Sequence, residues 1–295
     1  MIDKLKTLPA LLALAGAAAR AEDLPDIRAV PPDLAPPPVT EGEPAPGRRV
    51  RQTLPDYAAT DVHHTLYLPA DWEKGKRYPV IVEYAGNGPY KNAFGDTCTG
   101  RVEDCNLGYG ISGGKGFLWA CLPYVSADRQ RNQLQWWGDV EATVAYCKEA
   151  VPRIGRDFGG DSSAVLLAGF SRGSIACNYI GLHDDGIAAI WRGFVCHSHY
   201  DGVRSWGYAG DDRAAAAERL KRLKGRPQFV SHESSAAETR KYLAAALPSG
   251  RFTFVDLPYR NHTDGWVLRD IPERKALRAW VEGVLEKRGP TDEHR

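Results

Sequence analysis

The sequence predicts an α/β fold in which a mostly parallel central sheet is wrapped by helices on both faces. Two observations carry this. Apolar runs of strand length alternate with segments of helical period, the pattern of β-α-β construction. Several of the runs are apolar throughout, as strands are when helices cover both faces. The 295 residues, 43% hydrophobic and 25% charged, suffice for one large domain and exclude a disordered or fibrous chain.

Taken in order, the chain opens with Lys4 and Lys6, an apolar stretch over residues 8–19, and Ala19-Arg20-Ala21 ahead of Glu22. This spells an export signal over residues 1–21 and predicts a periplasmic or secreted protein. The apolar stretch is shorter than the about 20 residues a membrane-spanning helix needs. Residues 22–47 hold Pro25, Pro31, Pro32, Pro36, Pro37, Pro38, Pro44 and Pro46 with no helical or strand period, so a proline-rich, extended linker is expected. The folded domain then covers residues 48–295. Its predicted strands are residues 64–68 (HTLYL), 79–85 (PVIVEYA), 117–125 (FLWACLPYV), 164–170 (AVLLAGF), 193–197 (GFVCH), 227–231 (PQFVS) and 252–257 (FTFVDL). Helical period appears over residues 139–150, where Val140 and Val144 lie four apart, and near the end, where Leu277, Trp280, Val281, Val284 and Leu285 share a stripe. Ser235 with Glu238 three residues on has the form of a capping box and predicts a helix start.

The segment after the run at 164–170 carries the chemistry. Gly169-Phe170-Ser171-Arg172-Gly173 is a G-x-S-x-G pentad, entered from an apolar strand and followed by a helical pattern through Ile175, Tyr179 and Leu182. In that context the turn forces the serine into a strained conformation, and glycine at the flanking positions lets strand and helix pass closely. A serine hydroxyl is a weak nucleophile without a base to take its proton. Among eight histidines, His262 is best placed, a few residues beyond the last strand, where an open α/β sheet gathers its functional loops.

On the pentad around Ser171, the strand and glycine-rich turn PVIVEYAGNG, and His262 after the final strand, residues 48–288 resemble the α/β-hydrolase superfamily, specifically its secreted serine esterases of feruloyl-esterase, dienelactone-hydrolase and polyhydroxyalkanoate-depolymerase type. The resemblance implies an acyl-serine mechanism on a carboxylic ester with no cofactor, and an oxyanion hole from the backbone N–H of Arg172 with that of Gly86 or Asn87. Here Ala85 precedes Gly86 where the family's turn reads His-Gly. The family's order of serine, acid, histidine leaves two carboxylates open. Glu233 follows the strand at 227–231, the family's commoner address, though nearer the strand than is usual; Asp201 follows the preceding strand, where some members carry the acid instead.

A rival reading rests on His197, His199 and Asp201, whose alternate spacing would project all three to one side of an extended strand, as a metal-dependent hydrolase requires. Where metallo-β-lactamase-like hydrolases place a further histidine, this chain has Gly202. A secreted binding domain on the same fold, without catalysis, is a third. Trp136 and Trp137 are candidates to line a substrate cleft and stack on a sugar or phenolic ring, with Trp206 and Tyr208 behind them. Of the six cysteines, Cys98 and Cys105 bracket a short polar loop where a disulfide is plausible in an oxidising compartment, whereas Cys121, Cys177 and Cys196 sit in apolar runs. A formal net charge of +1 gives no global field toward nucleic acid or an anionic membrane, so a small-molecule or polymer ester is the expected partner.

Overall fold

The computed structural model describes residues 23–286; the expected export signal lies outside them. Eleven strands follow in chain order: β1 (Val39–Thr40), β2 (Arg49–Gln52), β3 (His64–Tyr67), β4 (Tyr78–Tyr84), β5 (Tyr90–Lys91), β6 (Thr97–Cys98), β7 (Leu118–Leu122), β8 (Gly160–Phe170), β9 (Gly193–His197), β10 (Gln228–Glu233) and β11 (Phe252–Leu257). The helices are α1 (Leu107–Ser112), α2 (Val140–Phe158), α3 (Arg172–Tyr179), α4 (Asp185–Ala188), α5 (Arg213–Lys221), α6 (Ala237–Ala246) and α7 (Pro272–Glu286). Nine strands form one sheet in the order β1-β2-β3-β7-β4-β8-β9-β10-β11. Only β3 runs against its neighbours, pairing antiparallel with both β2 and β7.

Strand periodicity divides the core into two layers. In β4, Val80, Val82 and Tyr84 face one layer and Ile81 the other; in β8, Val165 and Leu167 oppose Leu166, Ala168 and Phe170. The first layer is covered by α2, through Val144, Cys147, Val151 and Ile154, and by α3. The second is covered by α1 and α7, the latter burying the expected stripe through Leu277, Val281 and Val284. Helices on both faces explain why the central strands read as unbroken apolar runs. The helix predicted over residues 139–150 starts where expected, with the Asp139 side chain accepting from the Ala142 N–H, but continues to Phe158.

Two expectations are corrected. The proline-rich stretch is extended apart from a 3₁₀ turn over Ile27–Ala29, but it is docked. Ile27 is buried, the Asp33 and Leu34 N–H groups donate to the Leu268 carbonyl, Asp33 pairs with Arg274 at 2.6 Å, and β1 adds to the sheet beside β2. Proline composition signals an absence of helix and says nothing about whether an extended segment finds a surface. The capping box at Ser235 does not form either. The helix starts one residue later, with Ala236 at its cap, and the Glu238 carboxylate turns outward to Arg204 at 2.9 Å.

Candidate active site

The pentad is a sharp corner between β8 and α3. Ser171 takes φ 55° and ψ −115°, a left-handed φ that costs a non-glycine residue about 1–3 kcal/mol. The glycines are required by approach: a Cβ on Gly169 would lie 2.0 Å from the Gly173 carbonyl oxygen, and one on Gly173 would lie 1.9 Å from that of Tyr84. The corner is held by Ser171 N–H donating to the His197 carbonyl at 3.0 Å, across from β9. Ser171 keeps 7% of its surface accessible, enough to meet a substrate and little enough to be rigid.

Parallel register brings the other groups to the same sheet end. His262, five residues past β11, places Nε2 3.0 Å from the Ser171 Oγ. Glu233, the last residue of β10, places Oε1 2.7 Å from the His262 Nδ1. Burial alone would raise the Glu233 pKa, but the hydrogen bond from His262 and the charge of the surrounding histidines outweigh it and hold the carboxyl well below the usual carboxylate range. Glu233 therefore stays ionised. Its second oxygen, Oε2, is buried without a hydrogen-bond partner.

Around the serine, the first helical N–H, that of Arg172, has no intrahelical acceptor and is available to an incoming oxyanion. The Arg172 side chain adds a feature that the pentad does not announce. Its guanidinium is buried, donates to the carbonyls of Gly86 at 2.8 Å and Trp136 at 2.6 Å, and stacks on Tyr124 at 3.9 Å. Asn87 accepts from the Trp136 N–H at 2.7 Å. Together these bonds lock the Gly86–Asn87 turn to the segment bearing Trp136.

The other candidates separate. Asp201 does not reach His262: its carboxylate is gripped by Arg219 at 2.8 and 2.9 Å, also accepting from the Tyr208 hydroxyl at 3.4 Å. β9 ends at His197, so the alternation that would have lined up His197, His199 and Asp201 is broken. His197 is fully buried between the Ser231 hydroxyl and the Thr263 carbonyl, and burial pulls its pKa down to about 3. The close-set group Glu83, Cys105 and Cys121 is likewise engaged internally, with Glu83 accepting from the Leu107 and Gly108 N–H groups and from Trp119. All six cysteines are free thiols, Cys98 and Cys105 included. Trp137 is buried and stacks on Tyr179 at 4.6 Å, so it is core. Trp136 stays half-buried and, with Trp206, Tyr208 and His199, forms an aromatic wall running to the His262 ring, 5.0 Å from that of His199. Exposed Tyr90 flanks the same ring at 5.3 Å.

Sequence reading misses two supporting residues. Asp96 accepts from the His262 N–H at 2.9 Å and from Asn261 at 2.8 Å, while Asn261 accepts from the Ile27 N–H at 2.8 Å. The Ser198 hydroxyl lies 3.0 Å from the His262 Nδ1 and 3.2 Å from the Glu233 Oε1. Neither belongs to a motif, since both are defined only by where distant strands end.

No family model matches the chain, and no curated protein does. Solved structures do match. A feruloyl esterase module from Clostridium thermocellum aligns at TM-score 0.51 and 15% identity over 84% of this chain and 95% of its own. One of two fungal esterases from Rhizomucor miehei aligns at 0.52 and 13% identity, over 76% of this chain and 79% of its own. A Bacteroides ovatus protein provisionally assigned as a dipeptidyl aminopeptidase IV gives 0.55 and 16% identity over 80% of this chain, which spans about a third (35%) of that protein's length. These likenesses in fold, at 13–16% identity, together with the topology above show that this chain has the α/β-hydrolase fold.

Proposed function

We propose that this protein is a serine hydrolase that cleaves a carboxylic ester through an acyl-Ser171 intermediate. The observation that carries the reading is the unbroken chain from Ser171 Oγ through His262 to the ionised Glu233, at 3.0 and 2.7 Å, on a left-handed nucleophile corner. In the forward step His262 Nε2 takes the Ser171 proton as Oγ attacks the ester carbonyl. Glu233 keeps Nδ1 protonated, aims the ring and stabilises the imidazolium. The N–H groups of Arg172 and of Gly86 or Asn87 receive the developing oxyanion, and the buried Arg172 guanidinium fixes the turn that supplies them. His262 then returns its proton to the leaving alcohol. Water repeats the sequence to release the acid and free Ser171.

The half-buried Trp136 and Trp206 favour a substrate with a ring, phenolic or sugar, beside the scissile bond. We further propose that the protein acts outside the cytoplasm after removal of residues 1–21. The intact mass of protein recovered from the periplasm or medium of expressing cells tests this; retention of residues 1–21 overturns it.

The mechanism is tested by labelling with a fluorophosphonate probe. Wild type is expected to label in the presence of excess chelator, and Ser171→Ala not at all. Absence of labelling in folded wild type, or labelling that persists in Ser171→Ala, overturns the reading.

A further inference from the structure

We propose that Ser198 is a positioning residue that fixes the carboxylate of Glu233 against His262, an inference that rests on the mechanism just given. Three atoms form a tight triangle: Ser198 Oγ lies 3.0 Å from His262 Nδ1 and 3.2 Å from Glu233 Oε1, whose own separation is 2.7 Å. The histidine has one proton on Nδ1 to give, and it goes to the nearer and charged partner, Oε1. A hydroxyl has one donor and two acceptor sites, so Ser198 is left to donate to the same Oε1 while its lone pair shares the Nδ1–H.

This second donor matters because Glu233 has so few. Oε2 is buried without a hydrogen bond, and the nearby His232 Nδ1 stands off at 3.6 Å. Without Ser198 the carboxylate would be held by the imidazole alone, free to pivot about its last torsion. The other neighbours of the imidazole do not replace that bond. Asp96 takes the His262 backbone N–H, and Phe170, His199 and Tyr90 meet the ring through their own rings, 4.7 to 5.3 Å between centroids.

Ser198 is also in the wrong conformation for a serine. Its φ is 82°, its surface is 1% exposed, and its N–H donates to the Ser231 carbonyl at 2.7 Å. Glycine adopts that φ without strain, so folding alone favours glycine here and only the hydroxyl argues for serine. Stability and catalysis should therefore respond to Ser198→Gly in opposite directions.

The experiment measures kcat and KM for 4-nitrophenyl butyrate, with melting temperature, in wild type, Ser198→Gly, Glu233→Ala and the double variant. In Ser198→Gly the melting temperature is expected to hold or rise, kcat to fall by roughly tenfold, as for loss of one hydrogen bond to a charged group, and KM to stay put. In the Glu233→Ala background the same change is expected to do nothing further, because the group it positions is gone. A kcat within twofold of wild type in Ser198→Gly, or losses that simply multiply in the double variant, overturns the inference while leaving the mechanism standing. Full activity in Glu233→Ala overturns the mechanism, and this inference with it. Should Ser198→Gly lose its melting transition, Ser198→Ala, which keeps the Cβ, replaces it with the same expected kcat loss.

Discussion

Glu233 ends β10 and Asp201 lies four residues beyond the neighbouring β9, and the partners of the two carboxylates set them apart. Glu233 meets an imidazole that changes charge in the proposed mechanism; Asp201 meets Arg219, a permanent cation. Glu233→Gln is expected to leave the fold intact and lower kcat by about 10³ to 10⁴, since the imidazole loses the partner that sets its tautomer and stabilises its cation. Asp201→Asn is expected to do the reverse. It strands a largely buried guanidinium, at a cost of about 3–5 kcal/mol, seen as a melting temperature lower by several degrees with kcat per folded molecule unchanged. Steady-state kinetics and thermal melts on the two variants check both. At this scale the sequence announces Ser171, through its pentad, and His262, through its place after the last strand. It leaves the choice between Glu233 and Asp201 open, because each is the acid that follows an apolar strand and only the side chain's reach to Nδ1 distinguishes them.

The elements that were legible are those whose burial is total. The apolar runs of β4, β7, β8 and β9 and the stripe of α7 follow from what each face touches, so their pattern survives in one dimension. The docked segment over residues 23–34 is illegible for the converse reason: its anchors are the N–H groups of Ile27, Asp33 and Leu34 with single side chains, buried Ile27 and Asp33 paired to Arg274, too scattered to make a periodic pattern. The segment lies against the loop that carries His262. Asn261 joins the two through Ile27 on one side and Asp96 on the other. Asn261→Ala leaves a buried N–H and a buried carboxylate oxygen unpaired, at about 1–3 kcal/mol each. Faster amide hydrogen exchange over residues 259–268, with that of β8 unchanged, is the expected result; unchanged exchange in the loop would show that the docked segment does not brace it.

Across the whole molecule the buried histidines set the response to acid. His64, His197 and His199 are each depressed by burial from 6.5 to about 3. Between those values the unfolded chain binds protons that the folded chain refuses, so stability falls as pH drops below about 6.5. Asp264, pushed by burial up to about 7, works the other way between 3.8 and 7, as do the upward shifts that burial gives Glu83 and Asp201. Glu233, depressed, adds stability above 4.5 that is lost below it. The net expectation is a loss on the order of 1 kcal/mol per pH unit from pH 6.5 to 5, read from urea unfolding at the two ends of that range; a flat profile would show that the three imidazoles do not dominate. The placement of His262 bears finally on how the molecule comes into being. Ser171 sits mid-chain, whereas its proposed base, His262, follows the last strand beside Asn261, which residue 27 meets across 234 positions. A chain emerging in order can shape the β8–α3 corner well before it owns a base, and contacts of such separation are the last to close. On the proposed mechanism, the nascent protein therefore carries a nucleophile that stays unarmed until these distant segments meet.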